Sequence, residues 1–169
     1  MDWKRRCLVL IIAPLLLGVW SSCVLAEENF ARETLRGLQG VYVNIALAAS
    51  SEIDIKSLSK QVQSDVESKL KSAGINLLSK EELFSVTGGP FLLVRVDLMK
   101  HEGKYISFIL IQLYQHVFLI KTPRDVTYPA VTWSTDGVQA VLNALEQMRG
   151  IVLEEVDRFA QEFRSANPK

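Results

Sequence analysis

The chain has 169 residues, with 19 Lys+Arg against 19 Asp+Glu, two His and two Cys. A hydrophobic content of 49% with 22% charged residues excludes long intrinsic disorder, and the length fits one folded domain. A net charge of zero removes the composition-level case for nucleic acid, whose binders carry a basic face.

Residues 1–26 read as an address. Lys4, Arg5 and Arg6 precede an almost wholly apolar run from Cys7 to Trp20, and small residues from Ser21 to Ala26 lead to Glu27 and Glu28. A positive start, an apolar run of about 7–15 residues and an A-x-A-like end make a secretory signal peptide, and Val24-x-Ala26 predicts cleavage after Ala26. Two alternatives stay open. Cys23 follows Ser21 and Ser22 and is a candidate for the acylated cysteine of a bacterial lipoprotein, although Trp20 stands where leucine is usual. The stretch from Cys7 to Ala26 also has the length of a retained membrane anchor, although Pro14 and the serines make it a poor one. All three readings predict that residues 27–169 are exported, periplasmic or secreted. Membrane attachment follows only if Cys23 is acylated or the leader is kept. Both cysteines lie in the leader, so the mature segment has no disulfide, thiol nucleophile or Cys-based zinc site. Losing Lys4, Arg5, Arg6 and Asp2 leaves it slightly acidic, without electrostatic hold on anionic lipid.

Along the mature chain, residues 27–40 are polar and predict a loose arm or short helix. Val41 to Leu47 alternates as a half-buried strand. Asp54 to Ala73 repeats Leu58, Val62, Val66 and Leu70 every four residues, with Lys60, Glu67, Lys69 and Lys71 on a solvated face: a first helix, stopped at Gly74. Ile75 to Leu78 predicts a short strand, and Ser79-x-x-Glu82 has capping-box spacing for one helical turn. Phe91 to Met99 and Tyr105 to Lys121 predict an antiparallel hairpin about the turn at His101 to Lys104, the longer strand holding a bulge or bend. Thr122 to Pro129 predicts a loop and Ala130 to Ser134 a last strand. From Asp136 to about Arg164 apolar residues step by three or four, from Val138 through Val152 to Phe163, which predicts a long helix capped by Thr135 or Asp136. Gly150 in its interior suggests close packing or a bend. At about 1.5 Å per residue such a helix exceeds 40 Å, which predicts that its last turns project beyond the sheet.

The predicted order is β-α-β-β-β-β-α. This is an α+β two-layer sandwich with a mostly antiparallel sheet and its helices on one face. The first strand–helix–strand unit is expected as a right-handed parallel pair.

The sequence predicts no catalytic, cofactor or metal residues, and not an enzyme. His101 and His116 lack metal-ligand spacing and a neighbouring nucleophile. No phosphate loop and no Gly-x-Ser-x-Gly elbow occurs. Arg95 and Asp97 read as an exposed pair on one strand face. A hydrolase built from Asp97, His116 and Asp136 would require them to converge within about 3 Å. The aromatics Tyr105, Phe108, Tyr114 and Phe118 on the long strand, with Trp133 on the next, read by default as core. If helices cover only one sheet face, they form a candidate interaction surface on the other.

The segments GLQGVYVNI, LSKQVQSDVESKLKSAGINLLSKEEL, GGPFLLVRVDLM, VTWSTDG and FRSANPK together resemble an uncharacterised family of secreted or periplasmic bacterial proteins, across nearly all of residues 37–169. The resemblance implies a signal peptide followed by one small α/β domain, and no activity. The element order is also similar to envelope accessory lipoprotein domains. These readings converge on a non-enzymatic envelope module that binds a protein partner. The alternative is a carrier for a small apolar or lipid-like ligand held against the sheet.

Overall fold

The computed structural model describes residues 30–121 and 127–168; the leader, its cleavage site and Cys23 lie outside the described residues. After a helical turn at 30–33 come β1 (Tyr42–Ala49), α1 (Ile55–Ser72), a short α2 (Lys80–Leu83), β2 (Phe91–His101), β3 (Lys104–Val117), β4 (Tyr128–Ser134), β5 (Val138–Leu142) and α3 (Leu145–Ala166). The fold is α+β. β1 pairs parallel with β2 across the α1 crossover, and β2 pairs antiparallel with β3. β4 and β5 then share the far side of β3, β4 along one half and β5 along the other.

Each boundary has a local cause. Asp54 accepts from the Ser57 N–H and caps α1. Leu58, Val62, Val66 and Leu70 form the buried stripe, as an apolar repeat of one helical turn requires. Gly74 takes φ 76°, and the Ile75 N–H returns to the Leu70 carbonyl at 3.0 Å, closing the helix with a Schellman-type stop. Ser79 and Glu82 form the expected capping box on α2. The β2–β3 turn places Glu102 at φ 48° and Gly103 at φ 75°. Two consecutive positive values are what a two-residue hairpin needs to match strand twist. The register between β3 and β4 shifts at Leu113 and Tyr114, where Thr132 is the extra residue, so the bulge expected in β3 lies on its partner strand β4.

Three further expectations need correction. The strand expected at 75–78 is a single parallel bridge, Val41 to Leu77. The helix expected from Asp136 begins at Leu145, and Val138 to Leu142 is a strand on β3. Val138, Ala140 and Leu142 also alternate, so that stretch satisfies both periods. Pairing with the free flank of β3 decides between them, as tertiary context does for β propensity. Thr135 and Asp136 therefore cap nothing. The Thr135 N–H and hydroxyl instead bond the Ile111 carbonyl and N–H at 2.9 and 3.1 Å, bridging the gap between β4 and β5. Lastly, the end of α3 does not project. Phe163 and Ala166 are buried, and Asn167 bonds the Gly37 N–H and the Leu35 carbonyl.

α1 and α3 lie on the same face of the sheet. Val43 of β1, Leu92 to Leu98 of β2 and Ile109 to Leu113 of β3 supply alternate side chains to the core beneath them. Two ion pairs join the helices, Arg149 to Asp65 at 2.7 Å and Lys69 to Asp157 at 2.9 Å.

Candidate interaction surface

The strands alternate, so the side chains that do not enter the core point to the other face, which no helix among the described residues covers. β1 contributes Asn44, Ala46 and Ala48. β2 contributes Phe91, Leu93, Arg95, Asp97 and Met99. β3 contributes Ile106, Phe108, Leu110, Gln112 and Tyr114, and the far edge adds Val131, Gln139 and Val141. Phe91 and Tyr114 stack with ring centroids 4.8 Å apart. Met99 and Val141 are 52% and 66% exposed, values at which an apolar side chain is largely unprotected from water. At the centre of this face the charged residues among those described are Arg95 and Asp97, which bond each other at 2.9 Å, and Lys104 stands at its hairpin end. A depression of about 400 Å³ lies across it, lined by Ala48, Asp97, Met99, Ile106, Phe108 and Gln139.

The five aromatics read from the sequence divide between the faces. Phe108 and Tyr114 belong to the open face. Tyr105 packs at the border of the helix-covered core, because the odd-numbered residues of this half of β3 point inward. Trp133, 3% exposed, is core: its ring meets Phe159 edge-on at 5.0 Å and its indole N–H donates to Glu162 at 2.7 Å. Phe118 is exposed just beyond the end of β3, beside Leu119 and Ile120. The sequence reading missed Leu93, Met99, Ile106, Leu110 and Val141. The signal was present in the alternation of β2 and β3, but it needed the helix-covered face to be known.

The candidate catalytic set does not assemble. Asp97 lies opposite Phe108 in the sheet and is engaged by Arg95. His116 is eight residues further along β3 from Phe108, about 27 Å at strand rise, with its ring packed over Gly89 and its backbone N–H donating to the Gly88 carbonyl at 2.7 Å. Asp136 is 3.4 Å from Arg158 of α3, on the helix side. His101 sits in the exposed hairpin turn. No helix of the described residues is long and apolar enough to cross a membrane.

No family model and no curated protein matches the chain. Among solved structures, a PelC variant dodecamer from Paraburkholderia phytofirmans is similar, with a TM-score of 0.44 and 16% identity, covering 70% of this chain and 84% of that one.

Proposed function

We propose that this is an exported cell-envelope protein that works by contact, as a non-enzymatic accessory module. The helix-free face of its sheet docks a protein partner. The observation that carries this reading is the makeup of that face: aromatic and branched side chains on all its central strands, with one internally neutralised ion pair. Apolar surface of this extent is costly to leave in water and marks a contact site. The leader supports export, which brings the face to envelope proteins.

Val141→Asp and Met99→Asp test the docking. Both place a charge on the face without entering the core. Recovery of one envelope protein by the wild-type chain, lost in both variants, is the expected result. Equal recovery by the variants contradicts docking through this face. The depression beside Ile106 and Phe108 favours a second reading, a carrier for a small apolar or lipid-like ligand. Mass spectrometry of an organic extract of the purified protein separates the two, since only a carrier brings a stoichiometric ligand.

A further inference from the structure

The two ends of the sheet differ in character. At one end the β2–β3 hairpin closes with Lys100, His101, Glu102 and Lys104, and Lys100 pairs with Glu52 at 2.9 Å. At the other end β3 stops at Val117 and the chain continues as Phe118, Leu119 and Ile120. These three are exposed, Ile120 fully so. Two further segments bring aromatic rings to the same end. The turn after α2 carries Phe84, and the chain returning from it lies against β3 there, with the Gly88 carbonyl accepting from the His116 backbone N–H. The helical turn at 30–33 is tied to the same stretch: the Gln115 amide donates to the Thr34 carbonyl at 3.0 Å, and Phe30 and Val117 line one groove. Phe30 and Phe84 are each 75% exposed. Tyr128, opposite Val117 on β4, is exposed as well.

We propose that this end of the molecule rests on a lipid bilayer. Phe118, Leu119 and Ile120 insert at the boundary between headgroups and acyl chains, and the rings of Phe30 and Phe84 brace the contact beside them. Exposed apolar surface of this kind marks a protein or a membrane contact. The shape favours the membrane: the triplet is a tip at the end of a strand, not a groove or a paired edge. Lys121 follows it directly, and its long stem lets the ammonium stay at the phosphate layer while the preceding residues go deeper. Aromatic rings suit the interfacial region on either side of such a tip.

The place where the chain enters the fold points the same way. Phe30 follows Ala26 by four residues and Cys23 by seven. Fully extended, seven residues reach about 25 Å. By every reading of the leader its apolar run meets a membrane, so this end of the sheet is the one delivered to the bilayer. The charged hairpin end stands away from it by the length of β3, about 45 Å for its 14 residues. The slightly acidic mature segment has no electrostatic hold on lipid, so the contact is apolar, reversible and suited to zwitterionic lipid. It uses the end of the sheet and not its helix-free face. With the sheet standing on this end, that face is held upright beside the bilayer, open to a partner.

Fluorescence on phosphatidylcholine vesicles tests the contact, using the chain recovered after export and carrying Cys7→Ser and Cys23→Ser, so that no acyl anchor forms. A single cysteine from Ile120→Cys, or from Glu102→Cys at the opposite end, carries an environment-sensitive fluorophore. The label at 120 is expected to shift to the blue with vesicles and to be quenched by brominated acyl chains, and the label at 102 to do neither. Phe118→Asp in the Ile120→Cys chain is expected to raise the lipid concentration for half of this shift about tenfold, the factor set by losing one buried aromatic ring. Met99→Asp is expected to leave it unchanged, which separates this contact from docking through the helix-free face. Circular dichroism confirms that each variant is folded. A label at 120 that stays in water overturns the proposal and leaves this end to a protein partner. Equal responses at both positions, or no effect of Phe118→Asp, overturn it as well.

Discussion

The indole N–H of Trp133 donates to the Glu162 carboxylate at 2.7 Å, tying β4 to the last turns of α3. The same ring packs edge-on to Phe159, so one side chain joins sheet and helix both by apolar contact and by a directed hydrogen bond. Glu162→Leu leaves the indole donor without its acceptor and is expected to cost about 1–2 kcal/mol in urea unfolding, while Glu162→Gln keeps an acceptor and costs less. Trp133→Ala is expected to cost about 3–5 kcal/mol, the range for emptying a large aromatic from a core. A surface role for Trp133 would instead give a change within about 0.5 kcal/mol.

Gly150 sits in the interior of α3, exposed, and a methyl group added there meets nothing within 4 Å. Close packing does not require glycine there. Gly150→Ala is therefore expected to stabilise the chain by about 0.5–1 kcal/mol through lower unfolded-state entropy and better helix propensity. A raised urea midpoint with unchanged m-value is the readout.

Asp157 of α3 is held below the usual carboxylate range, first by the hydrogen bond from Lys69 of α1 and then by that from Gln161. A carboxylate depressed on folding stabilises the protein above its unfolded pKa, about 4, and loses that contribution as the pH falls through the folded value. Its side chain is 38% exposed, so solvent screening keeps the effect small. Asp157→Asn is expected to lower the urea midpoint at pH 7, and the difference is expected to vanish as the pH falls through the depressed folded value, below which the wild-type carboxyl is also neutral. A difference that does not shrink with falling pH would assign the effect to packing.

The leader makes its own prediction. The chain recovered from outside the cytoplasm is expected to begin at Glu27, by mass spectrometry of its N-terminus. A diacylglycerol-bearing Cys23 at the new terminus replaces simple secretion with the lipoprotein reading, and an intact residue 1 replaces it with a retained anchor.

Sequence legibility followed locality. α1 was readable because its stripe, cap and stop all lie within about twenty residues. The β2–β3 hairpin was readable because Glu102-Gly103 and the alternation on either side agree. Val138 to Leu142 was misread because its residues fit a helix and a strand equally, and the deciding partner lies more than twenty residues earlier on β3. Trp133 was placed on a candidate surface because its partners Phe159 and Glu162 belong to a distant helix. The helix-free face was foreseen only as a conditional, since knowing which side of β3 faces the helices requires the tertiary arrangement.

A photo-cross-linking side chain at Val141, with one at Glu154 on the exposed side of α3 as reference, measures docking in living cells. Contact through the sheet predicts an adduct with one distinct envelope protein from position 141 and none from position 154. No adduct from Val141, or the same adducts from both positions, would contradict it.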